Sequence, residues 1–143
     1  MVGMIMKRRN LPGVAAVLLL LTSGCSNGPF DIVSVSGDVL YEDGEPLPLG
    51  DYQIKFVPKV ESPDGKSHAR VATGIVGADG KIQSVTSYKY NDGLVVGEHA
   101  VYLKLAGGPN AKAAPVEYMR SKTTPLTVDV SASRQLAIRI PRP

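Results

Sequence analysis

Polar and apolar positions alternate with a period of two along most of the chain. Val33, Val35, Val39 and Tyr41 share one parity, with Gly37 between them. Tyr52, Ile54 and Phe56 alternate with Gln53, Lys55 and Val57. Val71, Thr73 and Ile75 follow on one parity, with Val76 on the other, and Ile82 leads a short run to Thr86. His99, Val101, Leu103 and Leu105 oppose Ala100, Tyr102 and Lys104. Leu126, Val128 and Val130 come next, then Leu136, Ile138 and Ile140. Such alternation places one side of an extended segment against a core and the other in water. Turn formers separate the runs: Asp43-Gly44, Pro63-Asp64-Gly65, Asp79-Gly80, Asp92-Gly93 and Gly107-Gly108-Pro109. Ala78-Asp79-Gly80 reads as a tight hairpin, with Gly80 able to take positive φ. No window carries a 3.6-residue stripe. The pattern therefore predicts an all-β chain, a seven-stranded antiparallel β-sandwich. Residues 106–125 form the longest irregular stretch; residues 111–120 have room for one helical turn, limited by Pro115. Pro141-Arg142-Pro143 reads as protection of a sheet edge against further pairing.

The N-terminus departs from this pattern. Lys7-Arg8-Arg9 precede an apolar run over residues 11–21, and Thr22-Ser23-Gly24-Cys25 follow. A basic cluster, a short apolar run and small residues are the order of a secretory signal peptide. The run is shorter than the roughly 20 residues that span a bilayer. The segment resembles the lipobox of bacterial lipoproteins, in which small residues precede a Cys that becomes the mature N-terminus. Ser23 and Gly24 match the positions before the cysteine; Thr22 stands where Leu is usual, and Leu21 lies one place earlier. The resemblance implies thioether-linked diacylglycerol and an N-acyl chain on Cys25, a durable membrane anchor. Ser26, rather than Asp, implies transfer to the outer membrane. The expected organisation is a signal peptide over residues 1–24, a lipidated tether over 25–32 and a β-sandwich domain over 33–143.

Composition changes the picture in three ways. Gly (15) and Pro (11) are abundant, which favours turns over a helix bundle. The formal charge of +3 resides in the signal, because residues 25–143 hold 13 basic and 13 acidic side chains. A neutral mature domain gives no electrostatic case for nucleic acid as a partner. Cys25 is the only cysteine, so no internal disulfide supports the core.

The ordered landmarks resemble small planctomycete-type lipoproteins with a carboxypeptidase-regulatory-like, or transthyretin-like, domain. Gly37-Asp38-Val39-Leu40-Tyr41, Asp43-Gly44-Glu45-Pro46-Leu47 and the strand ending Phe56-Val57-Pro58 resemble that family's first block. Ala78-Asp79-Gly80-Lys81 resembles its later hairpin, with Ile82 where Phe is common. Asp92-Gly93 and Gly97-Glu98-His99-Ala100-Val101 resemble its next segment, with His99 in place of Tyr. Pro115, Tyr118, Thr123-Thr124, Leu126 and Val128 resemble its late block. The resemblance spans about residues 33–140. It implies a prealbumin-like (Ig-like) sandwich on the cell envelope and implies little chemistry, since the shared residues are turn and core formers.

Candidate chemistry is sparse. His68 and His99 lack partners at metal-ligand spacing, so a hydrogen-bonded or exposed role is expected for each. Glu42, Asp43, Glu45, Asp79 and Asp92 suggest calcium, but turn formation accounts for them. Tyr88 and Tyr90 share parity and suggest a small stacking surface, with cross-strand packing as the better account. Tyr118-Met119-Arg120-Ser121 only superficially echoes the tail of a transthyretin-like ureide hydrolase. No catalytic, cofactor or metal residue is expected, and Cys25 is the one expected site. The sequence thus points to a non-catalytic envelope module held by lipid, with an envelope protein or polymer as partner. The alternatives are a small-ligand or calcium-binding module and a cryptic hydrolase.

Overall fold

The alternating runs become strands between the glycine turns. In the computed structural model, which describes residues 28–143 apart from Ala132, nine strands form. They are β1 (Ile32–Val33), β2 (Ser36–Tyr41), β3 (Tyr52–Pro58), β4 (Ala72–Val76), β5 (Ile82–Thr86), β6 (Leu94–Val95), β7 (Glu98–Lys104), β8 (Thr127–Asp129) and β9 (Gln135–Ile140). The all-β sandwich expected from the alternation is what the chain forms. The additional strands are β1 and β6, a two-residue pair too short for periodicity to mark.

One sheet runs β5-β4-β3-β7-β8, antiparallel throughout. The tight hairpin joins β4 to β5, with Gly77 N–H donating to the Lys81 carbonyl at 2.9 Å. The second layer is β2 beside β9. This pair is parallel, unlike the other pairings. Its strands lie far apart in the sequence, near the two ends of the described chain, so no hairpin imposes antiparallel direction. On its other edge β2 meets the turns of the first layer. Val39 N–H donates to the Gly80 carbonyl at 2.7 Å, and Tyr41 N–H to that of Glu45 at 2.8 Å. Gly37 permits the parallel pairing: at its φ of +155°, a Cβ would lie 2.0 Å from the Leu136 carbonyl oxygen.

Val39, Tyr41, Leu136, Ile138 and Ile140 face Ile54, Phe56, Val76, Val101 and Leu103 across a buried core. Burying each such side chain contributes about 1.5–3 kcal/mol. In β4 the buried parity is Ala72, Gly74 and Val76, while Val71 is exposed. The Phe56 ring explains the glycine: a Cβ on Gly74 would stand 3.1 Å from it. The long connection after β7 carries two short 3-10 turns, Gly108–Asn110 and Val116–Met119, the second starting directly after Pro115. It closes over the core through Leu105, Ala113, Ala114 and Met119. The Tyr41 hydroxyl donates to the Ala113 carbonyl at 2.5 Å.

The strand directions define two ends. Residues 59–71, 87–97 and 130–134 gather at the end where residues 28–35 join the sandwich, called the N-end below. Residues 42–51, 77–81 and the turn after Lys104 gather at the far end.

Candidate functional site

Cys25, the expected lipidation site, lies outside the described residues. What the structure places is the point where the chain beyond it meets the domain. The Asp31 carbonyl accepts from Val96 N–H at 2.9 Å, and Ile32 and Val33 pair with Val95 and Leu94. Gly93, at φ +104°, lets this pair form: a Cβ there would lie 1.9 Å from the Val33 carbonyl oxygen. The N-terminal segment is therefore stapled to the sandwich from Asp31 onward.

The neighbouring loop, residues 87–93, is built around Asp92. Its carboxylate accepts from the N–H groups of Ser87 (2.8 Å), Tyr88 (3.1 Å) and Lys89 (2.9 Å). Burial pushes this carboxyl up, and the N–H groups of Ser87, Lys89 and Tyr88 outweigh it, so Asp92 titrates below the usual carboxylate range. Asn91 adds a bond from Val85 N–H and donates its own N–H to the Thr86 hydroxyl. These bonds end β5 at Thr86 and carry the chain into a loop. Tyr88 and Tyr90 therefore do not pack across strands, as their parity suggested. Tyr88 is half-buried, with the Arg70 guanidinium 4.8 Å from its ring centroid. Tyr90 projects outward and is 84% exposed.

The other turn carboxylates are also committed to the backbone. Asp64 accepts from the N–H groups of Lys66 and Ser67 and from the hydroxyls of Ser62 and Ser67. These bonds, those from Ser67 first, hold its carboxyl far below the usual range. Asp79 accepts from Lys81 N–H at 3.0 Å. Asp43 pairs with Arg142 at 2.6 Å and accepts from Glu45 N–H; the Arg142 hydrogen bond leads in lowering its pKa. Asp43 and Asp79 lie at the far end, Asp92 at the N-end. Among the described residues, no three His, Cys, Asp or Glu side chains converge as a metal-binding group.

The histidines present no common face. His68 is exposed in the loop over residues 59–71, whereas His99 is buried in the core. His99 Nδ1 lies 3.1 Å from the Gly97 carbonyl oxygen, which requires the proton on Nδ1. The ring stands edge-on to Phe56, with centroids 6.4 Å apart. Burial pushes its pKa down, against the Gly97 bond and the Asp129 charge, and favours the neutral ring. Within Tyr118-Met119-Arg120-Ser121, Met119 is buried and Arg120 points to solvent. An open cavity of about 470 Å³ lies there, lined by Tyr102 and residues 119–123.

A different surface escapes the sequence pattern. The exposed large apolar side chains among the described residues are Val71 (49%), Tyr90, Val96 (36%) and Val116 (45%). Val71, Tyr90 and Val96 all lie at the N-end. A shallow cavity of about 270 Å³ opens there between Val33, Val96, Val130, Ser131, Ser133 and Arg134. Alternation gave no signal for this surface, because it placed Val71 on a strand parity and Tyr90 in a cross-strand pair. Comparisons with protein-family models, curated proteins and solved structures find no match.

Proposed function

We propose that the chain is a non-catalytic lipoprotein of the bacterial cell envelope, held by lipid on Cys25 and displaying a transthyretin-like β-sandwich to an envelope protein or polymer. One observation carries the reading. Lys7-Arg8-Arg9, the apolar run and Ser23-Gly24-Cys25 come just before a stably packed β domain. A signal, a small-residue cysteine site and a display domain in that order suit a tethered module. The commitments of the polar residues support a non-catalytic role. His99 is buried as a neutral ring, and Asp43, Asp64, Asp79 and Asp92 hold turns. The domain then acts by contact through its loops and faces. The test is the intact mass of protein purified from its native membrane. A chain beginning at Cys25 with added acyl mass is expected. A chain cut elsewhere without lipid, or one that retains Met1, would overturn the anchor.

A further inference from the structure

We propose that the N-end of the sandwich is itself a membrane-contacting surface, with Tyr90, Val71 and Val96 seated in the interfacial layer of the bilayer that holds Cys25. The proposal rests on the lipid anchor proposed above. Its first support is reach. Two residues, Ser26 and Asn27, lie between Cys25 and Gly28, so the three steps span at most about 10 Å when extended. From Asp31 the chain is already bonded to Val96, one of the three exposed apolar residues. A lipid on Cys25 therefore brings the N-end, and not the far end, against the bilayer surface.

The second support is the chemistry gathered there. Three of the four exposed large apolar side chains among the described residues lie at this end. Tyr90 is the most exposed of them, and tyrosine favours the headgroup level, where its ring is shielded and its hydroxyl stays wet. The loop carrying Tyr90 is held by Asp92 and Asn91, so the ring is presented without the entropy cost of ordering a mobile segment.

Charge does not drive this contact. Lys59 is paired with Glu98 at 3.5 Å, Arg70 lies over Tyr88, and the five basic side chains of the N-end meet six acidic ones, leaving no excess of positive charge. The surface therefore matches a zwitterionic interface through its apolar groups, and its contact should persist in salt.

The chain contains no Trp, so one introduced Trp is a clean reporter. The full lipidated protein carrying Tyr90→Trp is placed in phosphatidylcholine vesicles whose acyl chains are brominated near the headgroup. The emission should shift to the blue and fall about twofold or more, as for an interfacial indole. Val116→Trp, on the 3-10 turn between β7 and β8 and outside the N-end loops, should show neither change. Raising salt should leave the Tyr90→Trp quenching unchanged. Vesicle-bound, acylated protein whose Tyr90→Trp emission matches that of Val116→Trp would overturn the membrane face and leave the anchor standing. Quenching abolished by salt would also overturn it, because the contact would then be electrostatic. Protein that lacks acyl mass and stays off the vesicles would remove the anchor and the proposal together.

Discussion

Two buried tyrosines separate a hydrogen bond that stabilises the fold from a hydroxyl that does not. Tyr41 and Tyr52 are both buried in the core cluster. The Tyr41 hydroxyl donates to the Ala113 carbonyl and ties the long connection after β7 to β2. The Tyr52 hydroxyl is buried without a protein partner among the described residues. Tyr41→Phe removes one neutral hydrogen bond and strands a buried carbonyl, a loss of about 1–2 kcal/mol. Tyr52→Phe removes an unpaired polar atom from an apolar site, so stability should hold or rise by up to about 1 kcal/mol. The pair should differ by about 2 kcal/mol, or roughly 8 °C in Tm for a domain of about 110 residues. Urea and thermal unfolding of both variants provide the comparison. Burial, followed by the Tyr41 charge, pushes the Tyr52 phenol above its ordinary range. Stability therefore declines as pH rises above the unfolded phenol's pKa near 10, where the unfolded chain ionises and the buried phenol does not, and Tyr52→Phe should soften that decline. Equal stabilities for the two variants, within about 0.5 kcal/mol, would refute the assignment of the two hydroxyls.

Three further predictions concern the backbone and charge devices. Gly37→Ala places a Cβ against the Leu136 carbonyl and should break the β2–β9 register; loss of amide protection in β9 by hydrogen exchange checks it. His99 is held neutral by burial, so its stabilising contribution is present above the unfolded pKa near 6.5 and is lost as pH falls towards its lowered folded pKa. His99→Gln should flatten the change in stability between pH 7 and pH 5; an unchanged slope in urea unfolding would assign that dependence elsewhere. Asp92→Ala removes three charge-assisted bonds and should free residues 87–93, seen as faster exchange at Ser87, Tyr88 and Lys89 with a loss of about 1.5–3 kcal/mol.

Local chemistry alone determined much of the architecture. The alternation of Tyr52, Ile54 and Phe56, of His99, Val101 and Leu103, and of Leu136, Ile138 and Ile140 named the buried sides of β3, β7 and β9. It did so because strand side chains alternate across a sheet whatever their partner. The Asp-Gly turns were legible for the same reason: Asp43, Asp64, Asp79 and Asp92 bond backbone within a few residues. The tertiary structure decided whatever depended on distant segments. Gly74 stands on the buried side of β4, where the Phe56 ring leaves no room for a larger side chain, a relation that β4 does not carry in its own residues. Tyr88 and Tyr90 read as strand positions until Asp92 turned that segment away. The parallel union of β2 and β9 joins Ser36 to Gln135 across most of the domain, where periodicity carries no information about pairing. The gathering of Val71, Tyr90 and Val96 at one end likewise exists only after folding, because three separate connections meet there.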